Sequence, residues 1–321
     1  MKMNLTKMLM MMTMIMSATS ALSSSSMLMT WMMMEINLMA FLPIMTKSKI
    51  MKDQPMKYLI IQSLASSTML MSILLNSMNE SPLSISLMLM GSMLMKMGLM
   101  PFHMWVPMIM NSMSWQNCFI MITWQKIIPT IIISQMLKMS LMMLPMCLTL
   151  VLSPVIAMNQ TSMKKIMSYS SMSNSPWMIT SMMNSKSQFM TFFLIYTTIN
   201  LMIMKKMKEM NLIFINQMKM EKPMKKLSMI VNMLSMSGMP PMMGFFPKWM
   251  ILQSTIKFSL TLSVSMILSS MISTFIYVKM ISPMILSMNS NKKINKKEET
   301  KKDNDINMNI MGTLILMMTK S

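Results

Sequence analysis

Of the 321 residues 53% are hydrophobic, and 29 basic side chains outnumber 9 acidic ones for a net charge of +20. Such a charge can mark a nucleic-acid binder, but here the basic residues lie in short segments between long apolar runs, with no basic domain to hold DNA or RNA. That is the pattern of a polytopic membrane protein lying in a lipid bilayer. The only cysteines, Cys118 and Cys147, fall in separate apolar spans, which excludes a disulfide framework and a cysteine-based metal cluster.

Runs close to the twenty or so residues needed to cross a bilayer predict about eleven helices. In chain order they lie at 3–22, 25–45, 57–76, 83–105, 115–138, 141–158, 165–184, 188–204, 228–253, 258–283 and 305–318, the last being short. Lys2 and Lys7 ahead of the first run, with small residues from Ser17 to Ser26 after it, imitate a signal peptide. A second span carrying Glu35 starts almost at once, so the Ser-rich patch reads as a tight connection between two helices. No alternating strand pattern suggests a barrel, and no soluble segment is large enough to fold alone. The expected fold is all-α, a polytopic transmembrane helical bundle forming one antiporter-like domain over 1–321 with two broken helices. The charged, low-complexity stretch 290–305 is expected to be a solvated, mobile loop.

Methionine occurs 67 times, spread through every span. A Met-rich face can bind partners or soft metals, but an even spread reads as apolar filler from a good helix former. Arginine is absent and glycine occurs 5 times. An AT-rich genome read with the animal mitochondrial code, in which a former isoleucine codon gives Met, produces this profile. Synthesis inside the mitochondrion is therefore expected, and the lack of an Arg-rich presequence agrees with it.

Lysine-rich connections follow the second helix (Lys47, Lys49, Lys52, Lys57), the sixth (Lys164, Lys165), the eighth (Lys205 to Lys226) and the tenth (Lys292 to Lys302), all even-numbered. Connections after odd helices, such as Asn76 to Pro82, carry little positive charge. The positive-inside rule then places the N-terminus in the matrix and the C-terminus in the intermembrane space.

Four charges sit in the middle of long apolar stretches: Glu35, Lys96, Lys126 and Lys248. Each costs roughly 2.5–3.5 kcal/mol at a helix centre on insertion scales, so together they cost on the order of 10 kcal/mol. An intramembrane ionisable group is by default a site for moving ions or protons. Lys96 precedes Gly98 and Pro101, with His103 at i+7 on roughly the same helix face. Lys248 follows Gly238, Pro240, Pro241, Gly244 and Pro247. Glycine and proline at membrane depth free carbonyls, which is tolerated where the backbone lines a hydrated cavity. Burial disfavours an ammonium, so a lysine beside such a break is placed to exchange a proton with nearby water. The alternative is that these lysines snorkel to an interface, or that His103 is only a polar group at a helix end. No phosphate loop, dinucleotide fingerprint or serine nucleophile context is present, and a single histidine is too few for a haem pair or zinc site.

The strings Trp31 to Asn37 with Pro43, Lys57-Tyr58 with Gln62, Lys96 to Pro107, Trp124-Gln125-Lys126 with Pro129, Asn159-Gln160-Thr161, Tyr169-Ser170-Ser171 and Gly238 to Trp249 stand in a familiar order. Together they resemble the NADH dehydrogenase subunit 2 family, the antiporter-like subunits of mitochondrial respiratory complex I. The match covers about 60 to 250, and the Glu35 segment extends it towards the N-terminus. The resemblance implies the shortened animal form, lacking three N-terminal helices, in a proton-translocating NADH:ubiquinone reductase of the mitochondrial inner membrane. This chain would hold no redox centre. NADH, FMN, iron–sulfur clusters and ubiquinone would bind partner subunits, and the chain's own partners would be the other membrane-arm subunits. It also assigns Glu35 and Lys96 to a buried pair in a first half-channel, Lys126 to the central relay and Lys248 to a second half-channel. The chain departs from the family at Asn174, where His is frequent, at Pro176, where Gly is frequent, and at Lys164, where Arg is common. The resemblance therefore carries no titrating relay through that helix, although Asn174 can order water. The residues by themselves also suit a free-standing cation/proton antiporter, or a scaffold whose lysines only bridge helices.

Overall fold

The computed structural model describes residues 5–46, 53–77, 82–220 and 223–290 together with Asn309. These residues are almost wholly helical: α1 (Leu5–Ser23), α2 (Met27–Met45), α3 (Asp53–Ser77), α4 (Pro82–Met97), α5 (Trp105–Ser112), α6 (Trp115–Ile122), α7 (Ile127–Met136), α8 (Met139–Met158), α9 (Met163–Asn184), α10 (Lys186–Glu209), α11 (Pro223–Ser237), α12 (Phe245–Thr255) and α13 (Leu260–Ser290). Two short 3-10 helices lie at Trp124–Lys126 and Ile215–Met220. When α4 with α5, α6 with α7 and α11 with α12 are each taken as one interrupted span, the helices follow the first ten predicted spans in order. Of the predicted eleventh, 305–318, only Asn309 is described, and it is helical. The basic residues Lys47, Lys49 and Lys52, the connection 78–81 and the charged stretch 291–305 lie outside the described residues.

Among the described residues, seven helical stretches are long and apolar enough to cross a membrane: Leu5–Ser23, Met27–Met45, Asp53–Asn76, Trp115–Met136, Met139–Met158, Lys186–Glu209 and Leu260–Ser287. Helix α9 is too polar for that class, yet nearly all of it from Met163 to Ser181 is buried. Its hydroxyls explain how. Ser170, Ser173, Ser175, Thr180 and Ser181 each donate to a carbonyl three or four residues earlier in the same helix, at 2.7–3.0 Å. A serine that folds back on its own helix presents little unsatisfied polarity to a dry neighbour. Methionine lies in the core (Met14, Met69, Met93) and on the outside (Met12, Met16, Met71) alike, as filler would. The Ser-rich connection is tight as expected, and Ser26 caps α2 by accepting the Met29 N–H at 3.4 Å.

The chain divides into two compact units, Met1–Thr149 and Leu150–Ser321. In the first, α2 packs on α1 and α3, α4 packs on α3, and α7 touches both α1 and α4. In the second, α9 meets α10, α12 and α13, while α11 packs on α10 and α13.

Each unit holds one helix that stops in the same way. Helix α4 ends before Gly98 at φ 67°, and α11 ends before Gly238 at φ 83°. Gly98 N–H bonds Met95 O at 3.3 Å and Leu99 N–H bonds Leu94 O at 3.0 Å; in α11, Gly238 bonds Ser235 at 3.2 Å and Met239 bonds Leu234 at 3.4 Å. This paired 5→2 and 6→1 arrangement is the Schellman motif, which needs a left-handed residue after the helix. A Cβ at Gly98 would lie 2.2 Å from Val106 Cγ2, and one at Gly238 would lie 3.0 Å from Lys248 Cδ. Gly98→Ala and Gly238→Ala should therefore reduce the amount of assembled protein on native gels, since the left-handed backbone alone costs an L-residue roughly 1–2 kcal/mol. Gly91→Ala, whose Cβ meets nothing within 4 Å, should be silent. Full assembly of Gly98→Ala would contradict this reading of the break.

Candidate functional site

In the first unit, Lys96 lies in the last turn of α4 and is 8% exposed. Its Nζ donates to the sulfur of Met34 at 3.6 Å. Glu35, the next residue on α2, lies within electrostatic reach of Lys96, although no contact within 4.0 Å joins its oxygens to Nζ. Glu35 Oε1 is buried with no hydrogen-bond partner. Met34, not Glu35, thus holds the ammonium. The carbonyl of Met95, which accepts the Gly98 N–H in the turn that ends α4, also accepts the indole N–H of Trp105 at 3.1 Å.

Lys126 ends the 3-10 turn at the start of α7 and is 5% exposed. The turn is clamped from two helices. Asn37 Nδ2 donates to Gln125 Oε1 at 2.8 Å, Gln125 Nε2 reaches Met14 Sδ at 3.6 Å, and Trp124 Nε1 donates to Met14 O at 3.2 Å. The interruption precedes Pro129, which sits in the first turn of α7, where its missing N–H leaves no intrahelical bond unmade. This is a third broken span beyond the two expected.

In the second unit, Lys248 lies one turn into α12 and reaches back to the end of α11. Its Nζ donates to Met236 O and Ser237 O, both at 3.1 Å, and stands 5.8 Å from the Trp177 ring centroid. Lys248 therefore satisfies the carbonyls freed at this break, and its charge complements the negative end of α11. Beside it lies a cavity with about 20 Å³ of room for water centres, lined among others by Asn174, Tyr196, Ser235 and Lys248. That is enough for one water.

His103 does not share a helix face with Lys96. The helix stops at Met97 and resumes at Trp105, so the i+7 relation is lost; His103 lies half-buried in the connecting turn with Nδ1 3.2 Å from Pro101 O. The structure thus brings Glu35, Lys96 and, through Asn37 on the same helix as Glu35, the Lys126 turn onto a shared frame, while Lys248 belongs to the second unit. The basic segment read as a loop from Lys205 to Lys226 is also shorter than expected. Lys206 is buried within α10 and bonded to Ser228 Oγ, and Lys226 is buried in α11 and bonded to Ser287 Oγ at 2.8 Å. Sequence reasoning missed Tyr196, Asn200 and Asn232 as well. Uncharged groups carry no insertion cost large enough to flag them; only their helical spacing could have done so. Among the described residues, no group of three or more His, Cys, Asp or Glu side chains could hold a metal ion.

These interrupted helices with buried lysines define a membrane protein of the antiporter type, and residues 24–276 match the family model described as NADH:quinone oxidoreductase/Mrp antiporter, TM. A relative from Locusta migratoria is 41% identical over 246 residues, covering 73% of this chain and 72% of its own length; one from Anopheles gambiae is 34% identical over 256 residues, covering 73% of each. Both bear the name NADH-ubiquinone oxidoreductase chain 2, and the chain belongs to that family. In fold it is similar to a subunit of respiratory complex I from Thermus thermophilus with bound aureothin, with a TM-score of 0.81 and 17% identity, covering 98% of this chain and 78% of that one.

The clamp on Lys126 is testable. Asn37→Leu removes the N–H that Gln125 accepts and leaves a buried amide oxygen unsatisfied, at a cost of about 1–3 kcal/mol. A lower thermal midpoint of the assembled complex is expected; an unchanged midpoint would show that Asn37 does not hold the turn.

Proposed function

We propose that this chain is a core membrane-arm subunit of proton-pumping NADH:ubiquinone oxidoreductase in the mitochondrial inner membrane, and that Glu35, Lys96, Lys126 and Lys248 carry its protons. The observation that supports this most directly is the placement of three lysines at helix interruptions inside a protein of this family. Electron transfer from NADH to ubiquinone belongs to partner subunits, which hold the FMN and iron–sulfur clusters. Its effect on this chain is to shift the balance between Glu35 and Lys96. Because the two are not locked in a close ion pair, a movement of α2 towards α4 strengthens their attraction without first breaking a bridge. A change of charge at Lys96 then alters the cost of charge at Lys126, and onward transfer reaches Lys248 through water. Each charge moved works against about 2.3 kcal/mol per 100 mV of membrane potential. His103, in a half-buried turn, has the weakest claim to a part in transfer.

One observation favours a second reading. Lys248 already serves as a cap for α11, so a lysine here can be structural. Lys126 separates the two readings. Lys126→Arg keeps the charge but stays protonated throughout, whereas Lys126→Met removes the charge. A relay fails with both, and a scaffold tolerates the arginine. We expect coupled NADH oxidation in assembled complex to be lost in both variants; near-normal activity in Lys126→Arg with loss in Lys126→Met would refute the relay.

The orientation follows from charge, with the N-terminus and the Lys-rich connections in the matrix. In intact mitoplasts, amine reagents confined to the outer face should leave the segments 205–226 and 292–302 unmodified. Ready labelling of either from that side would overturn the orientation.

A further inference from the structure

Methionine serves as filler over much of this chain, yet several thioethers accept hydrogen bonds. Met14, Met33 and Met202 take theirs from uncharged side chains, Gln125, Ser20 and Asn309. Met34 takes the ammonium of Lys96 at 3.6 Å, and both residues are buried. An ammonium has three N–H donors, and among the described residues this sulfur is the one acceptor that Lys96 Nζ bonds. The stronger acceptor stands next to it and is not used. Glu35 follows Met34 on α2 and acts on Lys96 electrostatically, but its oxygens lie beyond 4.0 Å of Nζ, and Oε1 is buried with no partner. Asn37, one turn along the same face of α2, is tied to Gln125 at 2.8 Å, which keeps Met34 turned towards Lys96. The lysine stem is flexible and the two acceptors are consecutive residues, so a change of rotamer carries Nζ from one towards the other.

We infer that Met34 is a positioning residue whose thioether is the resting dock of the Lys96 ammonium, holding it off Glu35 until the pump is driven. A thioether suits that task because it is a weak acceptor. It offers the buried ammonium one hydrogen bond, and it lets go at small cost when the carboxylate draws near. Leucine in this place would fill the same volume and leave the ammonium no acceptor but Glu35, since a charge-assisted bond to a carboxylate is among the strong ones. An amide carbonyl in this place would hold the ammonium against the pull of the carboxylate. The inference rests on the reading of Lys96 as a proton carrier, and the test separates the two.

Met34→Leu conserves volume, a swap that cores tolerate well, and Met34→Gln keeps a similar length while supplying a stronger acceptor. Each is compared with the native chain and with Lys96→Met in assembled complex. Two things are read: the rate of proton pumping coupled to NADH oxidation in sealed vesicles, and the position of Lys96 Nζ in a density map. Nζ should lie on the sulfur in the native chain, in ion-pair contact with Glu35 in Met34→Leu, and on the amide oxygen in Met34→Gln. Both substitutions should slow pumping by about tenfold, the shift in occupancy that one hydrogen bond to a charged group brings. A packing defect slows the pump without moving the ammonium in opposite directions. Loss of pumping in Lys96→Met with normal rates in both Met34 variants overturns the role of Met34 and leaves Lys96 as a carrier. Slower pumping with Nζ still away from Glu35 in Met34→Leu overturns that role too. A normal rate in Lys96→Met overturns both. Should Met34→Leu fail to assemble, Met34→Gln decides alone: slower pumping with Nζ on the amide oxygen supports the dock, and a normal rate overturns it.

Discussion

A carbonyl freed at membrane depth has no water from the hydrocarbon to bond, so every interrupted helix must supply its own donor. Here the interruptions at Gly98 and Gly238 share one backbone solution, a Schellman turn, but they differ in the side chain that reaches their carbonyls. In the first unit the indole of Trp105 adds a second donor to Met95 O, already bonded by Gly98 N–H; in the second the ammonium of Lys248 bonds Met236 O and Ser237 O. The difference sets how each lysine is held. Lys96 caps no helix end and rests on a thioether, a weak acceptor. Lys248 must surrender two carbonyl bonds to move.

The same constraint accounts for the unusual composition. A chain this rich in serine can lie in a membrane because its hydroxyls fold back onto their own helices, and α9 carries that furthest. A chain this rich in methionine packs because the side chain adapts to both core and lipid-facing positions. The few polar groups that fold back on nothing, among them Glu35 Oε1, Tyr196 OH and Asn232 Nδ2, therefore stand out. Glu35 acts on Lys96, and Tyr196 lines the cavity beside Lys248.

Much of this was legible in the residues. The spans, the Ser26 connection, the two glycine-marked breaks and the buried lysines all follow from hydrophobic runs and from the cost of charge. What stayed hidden was geometric. The i+7 spacing of Lys96 and His103 presumed a continuous helix, which Gly98 ends. The break at Lys126 has no glycine to mark it, and Pro129 lies in the first turn of the helix that follows, a position proline fits without breaking a helix. Lys206 and Lys226 looked like loop residues because lysines near a span end usually reach for water, whereas both bond serine hydroxyls inside the bundle. That Met34, rather than Glu35, holds Lys96 depends on side-chain placement that spacing does not specify.

The central claim is that the buried lysines exchange protons with water, and this requires each ammonium to touch water in some state of the working complex. A density map of the assembled complex, resolved well enough to place waters and recorded at rest and during turnover, tests it most directly. The account predicts ordered water in contact with the Nζ atoms of Lys96, Lys126 and Lys248 in at least one of the two states. Lys126 enclosed by dry side chains in both would contradict it.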